Sequence, residues 1–146
     1  GMPVHPELLA AAESDLPAAA ALMAAWGHSK PAHVGLNPTP GLWMIGGARA
    51  LVENSRPGVL STDFQACMAY TGAEAAAAAT TCPSTVVIGL ADKMTPPRGG
   101  KALAAALGSA TVVELADTGH QMMAENPRAV KQAILCSITA GARNMK

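Results

Sequence analysis

Two short β-branched runs, Thr85-Val86-Val87-Ile88 and Thr111-Val112-Val113-Glu114-Leu115, constrain this chain more than any other feature. Pro83 and Gly89 bound the first, and Gly108 precedes the second. Valine-rich runs of this length between turn-forming residues read as strands. Between them, Pro97 suits the first turn of a helix, Lys101 to Leu107 continues it and Gly108 ends it. After the second run, Asn126-Pro127 supplies a cap and a first-turn proline for a helix reaching about Ile138. Strand, helix, strand, helix at this spacing predicts a right-handed crossover with two parallel strands. Parallel strands need cover on both faces, and two of them make a very small sheet. The expected fold class is α/β, mostly helical, with an incomplete sheet.

The region from Pro3 to Thr81 has a different pattern, rich in alanine and helical in period. His5-Pro6 opens a short helix through Glu13, and Asp15 caps a second from Leu16 to Ala25, which Gly27 stops. Residues 27–41 hold three prolines and three glycines and read as a loop. Leu42, Ile45, Ala48 and Val52 give a helical period through Asn54, with Gly46-Gly47 weakening its middle. Leu60 to Tyr70 and Ala73 to Ala79 read as two further helices.

Composition excludes several classes of function. Ten basic residues balance ten acidic ones, so no field draws phosphate backbones, and nucleic acid is not an expected partner. No apolar run reaches the roughly 18 residues of a membrane span, and no charged, then apolar leader is evident. The three cysteines, Cys67, Cys82 and Cys136, are scattered without metal spacing. They are expected to be reduced, small buried residues of a cytoplasmic protein. His5, His28 and His33 lack ligand spacing and are expected at the surface. No cofactor and no metal is implied.

Ligands of open parallel sheets bind beyond the carboxyl ends of the strands. Two loops leave those ends here, Gly89 to Pro97 and Ala116 to Met123. Adjacent parallel strands would bring Asp92 and His120 out on one edge. A carboxylate bonded to one imidazole nitrogen fixes its tautomer and stabilises the imidazolium, leaving the other nitrogen to take a hydroxyl proton. Alone, Asp92 is an ordinary turn residue after a strand. Its candidacy rests on the company of Gly89, Thr95-Pro96 and the His120 loop. Asp117 stands too close to His120 in sequence to face it and reads as solvated surface. Met94, Met122 and Met123 are candidates to line an acyl pocket, since methionine adapts to irregular apolar groups; packing among helices is the competing role.

The stretch Cys82 to Pro96, with its Gly89-Leu90-Ala91-Asp92 and Thr95-Pro96, resembles the penultimate strand and acid loop of α/β-hydrolases. Thr118-Gly119-His120, followed by Met122-Met123 and Glu125-Asn126-Pro127, resembles their histidine loop and final helix. The resemblance implies residues 82–140 as the C-terminal β-α-β-α part of that core and residues 3–81 as the helical cap inserted before it. It implies His120 as general base and acid, Asp92 as the residue orienting it, and ester or acyl hydrolysis in the intact family. No cofactor is required by that chemistry.

The chain departs from the family in its nucleophile elbow, and the early strands and oxyanion loop expected upstream are missing too. The nucleophile serine stands in a G-x-S-x-G elbow ahead of the acid, and this sequence has no such string. Gly27-His28-Ser29-Lys30-Pro31 comes nearest, but it lacks the final glycine and a preceding strand. Without the serine the covalent route is lost. The expectation is a C-terminal fragment inactive alone, taking a small ester-like substrate only when completed. The alternatives are a non-catalytic helical oligomerisation module, or half of a split hydrolase completed by another chain. A homo-oligomer, as a two-fold dimer formed through the uncovered sheet edge, is expected.

Overall fold

A computed structural model of the chain describes residues 2–36 and 38–143. Helices α1 (Pro6–Ser14), α2 (Leu16–Gly27), α3 (Lys30–His33), α4 (Met44–Glu53), α5 (Val59–Ala69) and α6 (Ala73–Ala78) precede strand β1 (Thr85–Gly89). Helix α7 (Pro97–Ala106) leads to β2 (Thr111–Leu115), and α8 (Met122–Glu125) and α9 (Pro127–Arg143) follow. The caps are local chemistry. His5 Nδ1 accepts from the Glu7 amide and Asp15 Oδ1 from that of Ala18, with Pro6 and Pro17 in the first turns. Asn126 Oδ1 accepts from the Ala129 amide at the start of α9.

Helix α2 is apolar on nearly all sides because α1 packs on one flank and α4 on another. Its buried face is Ala19, Ala20 and Ala24, whose small side chains let the neighbouring helices approach closely. A buried alanine methyl contributes only about 1 kcal/mol, against 2–3 kcal/mol for a leucine. The larger stabilisation of this region therefore comes from Leu8 and the half-buried Trp26, Leu60, Phe64 and Met94 packed against it. Met94 belongs to the loop after β1, so this helical core reaches into the strand-end loops.

β1 and β2 pair in parallel, with Thr85 opposite Thr111 and Gly89 opposite Leu115. Alternation along β1 divides its side chains between two helices. Ile88 meets Gly100 of α7, where the missing glycine side chain allows close packing, while the Thr85 hydroxyl bonds Ser137 of α9. Across the sheet, Glu114 lies opposite Ile88 and pairs with Lys101 of α7 at 2.8 Å. The fold class is thus the expected one, mostly helical α/β with two parallel strands. Among the described residues no helix is long and apolar enough to cross a membrane.

Several local expectations are corrected. The predicted loop 27–41 contains α3, because Ser29 stands at its N-cap and Pro31 fits its first turn. The histidine loop contains the one-turn helix α8, and α9 continues to Arg143. Cys82 and Cys136 are exposed and Cys67 is only half-buried, so none fills a core position. Cys82 lies in the connection ahead of β1 and Cys136 on the outer side of α9.

Candidate active site

Parallel pairing puts the carboxyl ends of β1 and β2 side by side, and the loops leaving them interlock. The Leu90 amide donates to the Leu115 carbonyl and the Ala91 amide to that of Thr118, both at 2.9 Å. The crossing is tight over Gly89. A Cβ there would stand 2.4 Å from the Gly119 carbonyl oxygen and 2.7 Å from that of Thr118, so only glycine fits.

Asp92 is buried and its carboxylate is fully engaged. Oδ1 accepts from the amides of Met94 at 2.8 Å and Thr95 at 2.9 Å. Oδ2 accepts from the Thr95 hydroxyl at 2.7 Å and from His120 Nδ1 at 2.9 Å. Burial pushes the Asp92 carboxyl up, but the bonds from His120 and Thr95 outweigh it and hold the group below its ordinary value. His120 moves the other way. Its bond to Asp92 raises the imidazole above the usual histidine value against the opposing effect of burial. With Nδ1–H on the carboxylate, Nε2 is the nitrogen left to exchange a proton.

The histidine loop is fixed from the other side by the end of α2. Asp117 takes φ 48°, turning the chain back after β2. The His120 amide then donates to the Gly27 carbonyl at 2.8 Å, and the Gln121 amide to the same oxygen at 3.2 Å. Trp26 O accepts from the Lys93 amide at 3.3 Å, so both loops dock on one helix end. Glu125 completes the junction, accepting from Gly119 N at 2.9 Å and Ser29 N at 2.8 Å.

Of the candidate residues, Asp92 and His120 are brought together, and Met94 and Met122 line a hollow of about 460 Å³ with them. A second hollow, about 260 Å³, lies among α2, α4 and the His120 loop. Met123 does not reach either one. Successive helical side chains point about 100° apart, so α8 turns Met122 inward and leaves Met123 exposed beside Ile134 of α9. Asp117 is exposed, as are His5 and His33. His28, expected at the surface, is instead 4% exposed, with Nδ1 donating to the Ala24 carbonyl at 2.9 Å. Its ring folds back under the last turn of α2 and lines the second hollow.

The sequence alone assigns no role to Thr95 or Glu125. Asp-x-x-Thr after a strand is the local signal for Thr95, since the threonine hydroxyl and amide both return to the aspartate. Glu125 had no such signal toward Ser29, which lies on a different part of the chain. Among the described residues no cluster of three or more metal-ligating side chains occurs.

No curated protein matches the chain. In the solved structures, the fold is similar to that of Est816, an N-acyl homoserine lactone degrading enzyme, at a TM-score of 0.66 and 18% identity. The match covers 90% of this chain and 51% of that one, so the chain spans about half the length of the enzyme it resembles. Residues 59–145 match the family model of TAP-like proteins, within the α/β-hydrolases. The chain belongs to this TAP-like family of the α/β-hydrolase superfamily.

Proposed function

We propose that the chain supplies the acid–base half of an acyl hydrolase acting on small esters or lactones, with residues 3–81 as its helical cap. The observation that carries the reading is the bond from His120 Nδ1 to the buried Asp92 carboxylate at 2.9 Å. It prepares Nε2 to accept a hydroxyl proton and return it to a leaving group. Met94 and Met122 line the same hollow as His120 and supply apolar surface there. Similarity to a lactone-degrading enzyme supports a cyclic or open carboxylic ester as the bond cleaved. The attacking serine is not in this sequence, and in this reading a G-x-S-x-G elbow on another segment or chain provides it.

The site is tested by turnover of p-nitrophenyl acetate. The chain alone is expected to stay at background and to take no label from a fluorophosphonate probe. Co-expression with a polypeptide carrying the elbow and early strands of an α/β-hydrolase is expected to restore turnover that His120→Ala abolishes. Turnover by the chain alone, or restored turnover indifferent to His120→Ala, would sink the proposal. A second reading, a non-catalytic self-associating module, draws on the exposed apolar side chains Val34, Leu36, Trp43, Leu51 and Ile138.

A further inference from the structure

We infer that Glu125 is a positioning residue for His120, acting through the backbone of the histidine loop; the inference rests on the dyad reading above. Glu125 closes the one turn of α8, and its side chain reaches back to the loop that carries His120. One carboxylate oxygen accepts from Gly119 N at 2.9 Å and the other from Ser29 N at 2.8 Å. The first amide directly precedes His120; the second opens α3, just beyond the end of α2. A single carboxylate thus joins the histidine loop to the helical region.

The junction tolerates little else. A Cβ at Gly119 would meet the Gly27 oxygen at 2.7 Å and both Glu125 Oε1 and Ser29 N at 2.9 Å. Because the Gly27 carbonyl also holds the His120 and Gln121 amides, the backbone on either side of the His120 Cα is pinned. The imidazole then has little freedom but its own two torsions to find Asp92. Acceptor-only chemistry is what the site demands, since two N–H groups converge on it. A glutamine could satisfy one amide only by aiming its own NH₂ at the other.

The test reads the geometry of His120 directly. The titration midpoint of its imidazole is followed by NMR in the full chain. Around it stand Asp92, which bonds it; Arg98 of α7 and His28 at the end of α2, which line hollows it shares; and Glu125. Asp92→Asn serves as reference and is expected to return the midpoint toward an ordinary histidine. Glu125→Gln, with an unchanged far-UV circular dichroism spectrum, is expected to move it in the same direction by a smaller amount. Glu125→Asp keeps the charge but shortens the reach, and is expected to fall between Glu125→Gln and the parent chain. A parental midpoint in either folded Glu125 variant overturns the inference, as does loss of folding in both, which would make Glu125 structural alone. A parental midpoint in Asp92→Asn would instead overturn the dyad itself.

Discussion

Asp92 and His120 each change the proton affinity of the other, and that sets when the pair stabilises the fold. His120 is raised, so its contribution is complete below the unfolded histidine value of about 6.5 and disappears as pH climbs through the folded one. Asp92 is lowered, so its contribution is complete above the unfolded value of about 3.9 and disappears as pH falls through the folded one. Both hold together in the mildly acidic window between. The stability gap between the parent chain and Asp92→Asn should therefore be wider at pH 5.5 than at pH 8.5, measured by thermal melts. A gap of equal size would mean that only the bonds from Met94 and Thr95, which stay constant between these two pH values, matter. His120 is partly exposed, so the effect is a modest one. Glycines allow a second test. Gly89→Ala would drive a Cβ into the Gly119 and Thr118 carbonyls and should cost about 1–3 kcal/mol by overpacking. Gly47→Ala, in the interior of α4 with nothing within 4 Å, should stabilise by roughly 0.5–1 kcal/mol. Urea unfolding of the two variants should show opposite signs.

Between α7 and the sheet, two contacts of different kinds lie side by side, and their magnitudes differ. Lys101 and Glu114 form an ion pair at 2.8 Å, but both side chains are exposed, and such pairs contribute about 0–1 kcal/mol. Ile88 is 4% exposed and packs on Gly100. Truncating a buried isoleucine to alanine typically costs 2–5 kcal/mol. Lys101→Ala should leave the urea midpoint almost in place, while Ile88→Ala lowers it well outside error; the reverse order would mean that the helix is held by charge. The same elements explain what the sequence made legible. β1, α7 and β2 announce themselves through contiguous signals, a valine run or a proline start, so the edge carrying Asp92 and His120 could be read directly. Helix α3 escapes a sequence reading because its one proline, Pro31, suits a loop as well as a first turn. Met122 and Met123 could not be told apart without the one-turn α8 that rotates them. The burial of His28 and the reach of Glu125 to Ser29 depend on where α2 docks, and that is a tertiary fact with no local pattern in the chain.

At the scale of the whole molecule, the feature with most consequence for association is the size of the sheet. Among the described residues β1 pairs only with β2, while Val86, Val87 and Ile88 also line the open hollow that runs to His120. Unpaired strand edges bordered by apolar side chains are templates for a further strand. The match leaves about half of the lactone-degrading enzyme without a counterpart here, and under the proposed reading that half carries the strand that continues the sheet past β1. Without that continuation, a second copy is the partner always at hand, and a two-fold contact buries the same surface on both. Sedimentation velocity at micromolar concentration should therefore show a dimer that dissociates on dilution. Adding the polypeptide that bears the elbow and early strands should convert it to a one-to-one complex, because both partners compete for β1. A monomer that persists at high concentration would remove the sheet edge as an association surface. A dimer that survives inside the reconstituted complex would place its interface elsewhere, and the outer face of α9, with Ile134, Leu135 and Ile138 exposed, would be the face to mutate next.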